Sequence, residues 1–483
     1  MSIKQFQNYI DGKLQAASNQ QYLPVFNPAL GEIYAETPDS EAQDVAAAVE
    51  AAQKAFPLWS NLPAERRAAY LNKMANLIEQ QAETLALAET EDNGKPLWLS
   101  TKVDIPRSAA NFRFFGTALT HFASEAHYME TVGINYTLRR PIGIVGCISP
   151  WNLPLYLFTW KIAPALAAGN CVIAKPSEIT PQTAYLLSQI AQQADLPAGV
   201  LNIIHGLGAK VGKAIVEHPH IKAISFTGGT RTGREIASIA APMFKKLSLE
   251  LGGKNPSIIF ADCEWDETLA TTVRSAFTNQ GEICLCGSRI LVEKSIYDRF
   301  VAEFVAKIQE LKVGDPLDTS SYLGAVVSKE HAEKVMSYIS LAQAEGGVLL
   351  TGGKRVFPEG RCSKGWFIEP TVIANLSNSC RTNQEEIFGP VVTIQSFETE
   401  AEAIAIANDT EYGLAANVWT QNLSRAHRVA EELAFGIVWV NCWMLRDLRT
   451  PFGGVKNSGV GREGGWEALR FFTEPKNILV KYH

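Results

Sequence analysis

Apolar residues recur along this chain with more than one period, and the changes of period divide it. From residue 42 to 91 the chain is rich in Ala, Glu, Gln and Leu and poor in strand formers. Val45, Val49, Ala52 and Phe56 fall on one helical face there, so the segment predicts helices. From Gly143 onward short continuous apolar runs alternate with helical ones. Ile144–Ile148, Cys171–Ala174, Val200–Ile204 and Ala223–Phe226 predict buried strands, and Leu157–Ala168, Thr183–Ala194, Val211–Glu217 and Arg231–Ala240 predict the helices between and after them. Such alternation is the pattern of an α/β fold, with a parallel sheet covered on both faces. A second alternating region opens at Asn255–Phe260, continues through helices near 266–278 and 296–311, and runs to about 440, with Gly252-Gly253 as the crossing point. Tyr128–Leu138 and Asn477–Tyr482 read as strands that stand apart. Neither can bury two faces alone, which predicts pairing across subunits and a homodimer or homotetramer.

Composition narrows the function classes. The 483 residues are 46% hydrophobic and 19% charged, with a net charge of −6, so disorder is not expected and a length of several domains is. No basic run appears, which argues against a nucleic-acid partner. The N-terminus lacks an apolar core of signal-peptide length, and stretches such as Ile162–Gly169 are too short to cross a bilayer. Eight cysteines without a C-x-x-C pair, and eight histidines without H-E-x-x-H, argue against a disulfide scaffold and against a bound metal. A reducing cytoplasm is the expected setting.

The candidate chemistry begins at Asn279-Gln280-Gly281-Glu282-Ile283-Cys284, which sets a cysteine at the end of a short turn before an apolar run. Upstream, Leu249-Glu250-Leu251-Gly252-Gly253-Lys254 offers a carboxylate beside two glycines. A thiol, an acid and a close backbone approach suggest covalent catalysis through a thioester. In the first alternating region the loops after the strands carry Ser149-Pro150-Trp151-Asn152, Lys175-Pro176-Ser177-Glu178, Gly206-Leu207-Gly208 and Phe226-Thr227-Gly228-Gly229-Thr230. That edge is where such sheets bind ligands. Gly228-Gly229 lets backbone approach a pyrophosphate at a helix N-terminus, although G-x-G-x-x-G is absent. Lys175 and Glu178 stand where ribose hydroxyls would lie, and a carboxylate there repels a 2′-phosphate, favouring NAD over NADP.

Together with Glu386-Ile387-Phe388-Gly389-Pro390 and Pro451-Phe452-Gly453-Gly454, these segments closely resemble the NAD(P)-dependent aldehyde dehydrogenase superfamily in order and spacing over almost the whole chain. The resemblance implies a Rossmann-like cofactor domain (1–122 and 142–251), an α/β catalytic domain (252–453) and a small β oligomerisation ribbon (123–141 and 468–483). It implies that Cys284 attacks the aldehyde as thiolate, in a site that must favour the anion. The Asn152 amide and the Cys284 backbone N–H would hold the oxyanion, hydride would pass to the nicotinamide, and Glu250 would activate water against the thioester. Glu386 would hold the nicotinamide ribose, with Phe388 near the ring. Ser149, Trp151, Ser177, Gly208, Phe226, Thr227 and Leu251 would join the glycines at the cofactor, and Lys161 would join Lys175 and Glu178 at its adenosine end. Gly229 stands where many relatives carry Ser.

The loop Asn441–Pro451, with Glu282 and Gly287-Ser288-Arg289, resembles the 2-aminomuconic and 2-hydroxymuconic semialdehyde dehydrogenase subgroup. Arg446 in that loop and Arg107 in Val103–Arg107 would anchor a substrate carboxylate through paired hydrogen bonds, with Trp160 beside them. The bland alternative is a surface cluster of Arg446, Asp447 and Arg449. A broad-specificity or betaine-type enzyme, a silent structural protein on the same fold and a cysteine hydrolase are the rival functions. For the hydrolase, Cys286-Gly287-Ser288 lacks the rest of a papain-type signature and a partner histidine.

Overall fold

A computed structural model describes residues 3–482. Its largest sheet has eight strands in the order Gly459–Val460, Lys246–Glu250, Ile221–Thr227, Ile144–Ile148, Cys171–Lys175, Leu201–Ile203, Asn8–Ile10 and Lys13–Gln15. The five central strands are parallel. Every residue of Ile144–Ile148 and Cys171–Lys175 is buried, as unbroken apolar runs require of strands covered on both faces. The edges differ from the expectation: Asn8–Ile10 and Gly459–Val460 join antiparallel. Segments of two or three residues are too short to show a period, so only the fold reveals them.

The helices fall close to where the pattern puts them. Ala42–Ser60, Ala64–Gln80 and Ala82–Asn93 fill the first helical region, and Val45, Val49 and Ala52 are buried. Helix Pro154–Ala167 begins before the expected Leu157 because Pro154 suits a first helical position, and all 14 of its residues are buried. Val211 lies in a π-turn, Gly208–Gly212, that leads into helix Lys213–Glu217.

The chain leaves this sheet after Glu250 and enters the second at Asn255, so the crossing does run over Gly252-Gly253. The second sheet has the order Val348–Thr351, Thr371–Ala374, Val391–Phe397, Gly287–Glu293, Asn255–Ile259, Ala415–Trp419 and Ile437–Val440, antiparallel only at Val348–Thr351. Helices Trp265–Phe277 and Tyr297–Gln309 pack into its core.

The two isolated strand segments pair with each other within one chain. Thr473–Lys481 lies antiparallel to Gly133–Pro141, from Thr473 opposite Pro141 to Lys481 opposite Gly133, and Ala126–Met129 completes a three-stranded sheet. Their first partner is therefore intramolecular. The sheet still leaves Tyr128, Ile134, Leu479 and Val480 exposed.

Candidate active site

The order of the first sheet decides where a site can form. Strand Ile144–Ile148 pairs on one side with Cys171–Lys175 and on the other with Ile221–Thr227, so successive connections run in opposite directions from it. A crevice opens at such a switch point, outside the carboxyl ends of the strands. Ser149–Asn152 and Thr227–Gly229 occupy those ends, and Glu250 ends the adjoining strand. Asn255 and Gly287 begin paired strands of the second sheet, and Cys284 lies three residues before Gly287. The thiol thus sits between the carboxyl edge of one sheet and the amino edge of the other.

A cavity of about 250 Å³ fills this gap. Trp151, Asn152, Thr227, Gly228, Gly229, Leu251, Cys284, Glu386 and Phe388 line it, as the sequence predicts, and His331 and Lys334 join them without prior signal. Both belong to helix Lys329–Ala344, in a stretch with no chemical motif.

Dense hydrogen bonding sets the thiol loop. Asn279, Gln280 and Gly281 are all left-handed, with φ of 53°, 55° and 72°. Gly281 presses on the Gly389 carbonyl, where a β-carbon has no room. The Asn255 amide donates to the carbonyls of Cys284 (2.7 Å) and Cys286 (2.9 Å), and the Trp443 indole donates to that of Leu285 (2.9 Å). Asn152 Nδ2 donates to the Glu282 carbonyl at 2.9 Å, which leaves its second N–H for another acceptor. Asn279 Nδ2 and Lys95 Nζ each donate to the Asn152 carbonyl at 3.0 Å, and Lys95 pairs with buried Asp104 at 2.6 Å. The amide and the thiol are therefore parts of one bonded unit.

Electrostatics hold the resting site protonated. Burial, then the carboxyls of Glu250 and Glu386, push the Cys284 thiol well above its ordinary range, against Arg446. The expected bias toward the anion is not built into the chain itself. Burial first, then Glu463, push Glu250 up to about 8, against Lys161. Lys161 corrects an expectation. Its Nζ lies 2.6 Å from Glu463 and 3.3 Å from Ser225, wholly buried, so its charge is already paired inside the protein. A lysine two residues along from Thr159 reads like a ligand until its carboxylate, 302 positions later, is brought to it.

The features expected of a dinucleotide site occur together. Helix Thr230–Ala240 has no side-chain cap at its N-terminus, so backbone N–H groups there are open to an anion. A β-carbon on Gly229 would enter open space, so serine fits there as well as glycine. Lys175 Nζ lies 2.9 Å from Glu178; burial alone would raise Glu178, and Lys175 with backbone donors more than reverses this. Ser177 Oγ accepts from Ile179 N (3.2 Å). Phe226 and Gly208 line a second cavity of about 270 Å³ with Arg231, Thr232 and Ile236. Ser149 and Thr227 each bury a hydroxyl that has no partner in the protein. Glu386 accepts from Gly253 N (2.9 Å) and lies so close to Gly252 that a β-carbon there would displace its carboxylate. These residues suit a dinucleotide with its reactive ring near Cys284.

Residues 15–478 match the aldehyde dehydrogenase family. The chain belongs to that family. It is 50% identical to 2-aminomuconic semialdehyde dehydrogenase of Danio rerio, covering 99% of this chain and 98% of that protein. It is 45% identical to 2-hydroxymuconic semialdehyde dehydrogenase of Pseudomonas sp. (strain CF600), covering 99% of this chain and all of that one. Among solved structures, an NAD+ complex of aldehyde dehydrogenase from Bacillus cereus superposes with a TM-score of 0.96 at 36% identity, covering 99% of this chain and 97% of that one.

In this aldehyde dehydrogenase family chain, Arg446 and Arg107 lie against the same aromatic side chains. Arg446 Nη1 donates to the Tyr156 hydroxyl at 2.8 Å, and its guanidinium lies 3.9 Å from the Phe452 ring centre and 5.5 Å from that of Trp160. Arg107 lies 5.2 Å from Tyr156 and 5.3 Å from Trp160 by the same measure. Its Nε donates to Asn111 at 3.1 Å, while its buried Nη2 has no partner. Burial lowers the Arg107 pKa, and Arg446 acts in the same direction, so the two cations are near neighbours. The alternative surface cluster splits: Arg449 pairs with Asp447 at 2.6 Å in the open, and Arg446 turns inward.

Proposed function

We propose that this aldehyde dehydrogenase oxidises a carboxylate-bearing semialdehyde, of the muconic type, to the diacid with NAD through a Cys284 thioester. One observation carries the substrate reading: two guanidiniums, one with a buried and unpartnered nitrogen, converge on the Tyr156–Trp160 face. An unpaired cation of this kind is costly to bury, and a carboxylate satisfies it through charge-assisted hydrogen bonds. Relatives named for aminomuconic and hydroxymuconic semialdehydes support the same reading.

The thiol must lose its proton before it attacks. Charged Glu250 and Glu386 oppose that loss, so the proton passes to solvent water and Glu250 stays free for the later step. The sulfur bonds the carbonyl carbon, and the free N–H of Asn152 with the Cys284 backbone N–H holds the resulting oxyanion. NAD, when bound, supplies the hydride acceptor and a positive ring charge that favours the thiolate. Thr227–Gly229, Glu386 and Phe388 orient it, and Lys175 with Glu178 holds the adenosine ribose. Glu250 then takes a proton from water as the water opens the thioester. We assign residues 1–122 and 142–251 to cofactor binding and 252–453 to catalysis. The exposed apolar side chains of the three-stranded sheet support assembly as a dimer or tetramer, and eight free thiols suit the cytoplasm.

Two measurements test this reading. Arg446→Ala lowers kcat/KM for a muconic-type semialdehyde about 10- to 150-fold, the equivalent of about 1.5–3 kcal/mol for hydrogen bonds to a charge, while hexanal changes less than about threefold. Equal losses on both substrates refute the anchor. Second, Glu250 works as a base only when ionised, so turnover limited by thioester hydrolysis rises with pH to a limb near the group's value of about 8. In Glu250→Gln the limb disappears, turnover falls about 100- to 10,000-fold, and stopped-flow absorbance shows one burst of NADH per site.

A further inference from the structure

Helix Lys329–Ala344 starts at Ser328, whose side chain accepts from His331 N. That places His331 in the first turn, with its ring in the wall of the catalytic cavity. Nε2 lies 2.6 Å from the Phe388 carbonyl oxygen and 3.5 Å from Glu282 Oε1. A carbonyl only accepts, so Nε2 carries the ring proton and donates it to Phe388, while Glu282 lies against the same edge of the ring. The ring stands edge-on to Trp151 with centroids 5.0 Å apart, and Trp151 stands edge-on to Phe388 at 5.3 Å.

Glu282 completes the arrangement from the other side. It is fully buried, Oε1 accepts from Val327 N at 3.1 Å, and Oε2 has no partner. Val327 immediately precedes the helix cap, so the carboxyl group ties its own loop to the start of the helix that carries His331. Glu282 precedes Cys284 by two residues, and its carbonyl accepts from the Asn152 amide. Phe388, itself left-handed at φ 62°, follows Glu386 by two. A single side chain on a third element thus touches both the thiol loop and the 386–388 loop.

We propose that His331 is a positioning residue: with Glu282 it clamps the Cys284 loop against the 386–388 loop and so sets the gap between thiol and cofactor wall. The inference rests on Cys284 being the nucleophile, and it assigns to Glu282 a neighbour on a different element. Burial holds His331 down to about 4 and Glu282 well above its ordinary range, which disfavours charge on either side of their contact.

The test needs neither NAD nor aldehyde, so it stands apart from the dehydrogenase reading. The unliganded enzyme is alkylated with iodoacetamide and the rate at each cysteine is read by peptide mass spectrometry. Half-buried Cys263, Cys380 and Cys442 serve as internal controls. His331→Ala is expected to speed Cys284 alkylation at least about fivefold with the controls unchanged, as loosening of one loop rather than of the whole fold requires. His331→Gln, which keeps an N–H donor for the Phe388 carbonyl, stays within about twofold of the parent. His331→Ala combined with Glu282→Ala reacts no faster than the faster single variant, because the two side chains act as one contact. An unchanged Cys284 rate in His331→Ala, equal acceleration of all four cysteines, a glutamine variant as fast as the alanine one, or a double variant showing the product of both single effects each overturns the clamp. If Glu282→Ala does not fold, the contrast between His331→Ala and His331→Gln decides alone.

Discussion

Cys284→Ala is expected to lower aldehyde oxidation by about 10⁴-fold or more while NAD still binds, because no other group can form the covalent intermediate. The nearest substitute is Cys286. It is 6% exposed, its carbonyl is tied to Asn255, and burial pushes its thiol up to about 12, so it is neither accessible nor ionised. Half-buried Cys284 becomes a slightly smaller residue, which costs little stability, so thermal unfolding shifts by only about 2 °C. Trp151 lines the same cavity, and its fluorescence on titration with NAD checks that the cofactor site survives. A variant that kept more than about 1% of turnover would remove the thioester from the mechanism.

Asn152→Ala tests the oxyanion donor. The amide spends one N–H on Glu282 and has another to offer, and loss of such an oxyanion donor raises a barrier by about 3 kcal/mol, or about 100- to 1,000-fold in kcat. The same change deletes a structural hydrogen bond, worth about 1 kcal/mol of stability. The two losses separate experimentally. Turnover falls while the KM for NAD stays within about threefold, and denaturant unfolding reports the smaller stability cost. A drop in kcat below tenfold would mean that the backbone N–H holds the oxyanion without the amide.

Both predictions rest on residues legible in the sequence. Strand-end loops announce themselves because an apolar run ending in Ser149–Asn152 or Thr227–Gly229 has few other meanings in a wound sheet. Cys284 and Glu250 stand beside glycines at turns, which is where backbone and reactive groups can approach each other. Lys161 shows the limit. The local pattern marks it as a polar residue in a buried helix, and only its contact with Glu463 shows that its charge is already used. His331 and Lys334 gave no local signal, because a histidine and a lysine in an ordinary helix resemble surface residues.

The period of the apolar residues by itself determined the alternating strands and helices and the crossing at Gly252-Gly253, and the residue types of the loop segments, through their family resemblance, named the candidate thiol, acid and amide. Those are local properties, since side-chain chemistry and a two- or 3.6-residue repeat act over a few positions. The tertiary structure alone decided that the ribbon strands pair within one chain, that Arg446 turns toward Tyr156 while Arg449 takes Asp447, and that burial and carboxyls keep the resting thiol protonated. Each of those outcomes depends on groups far apart in the chain and on the water excluded between them, and no local pattern encodes either.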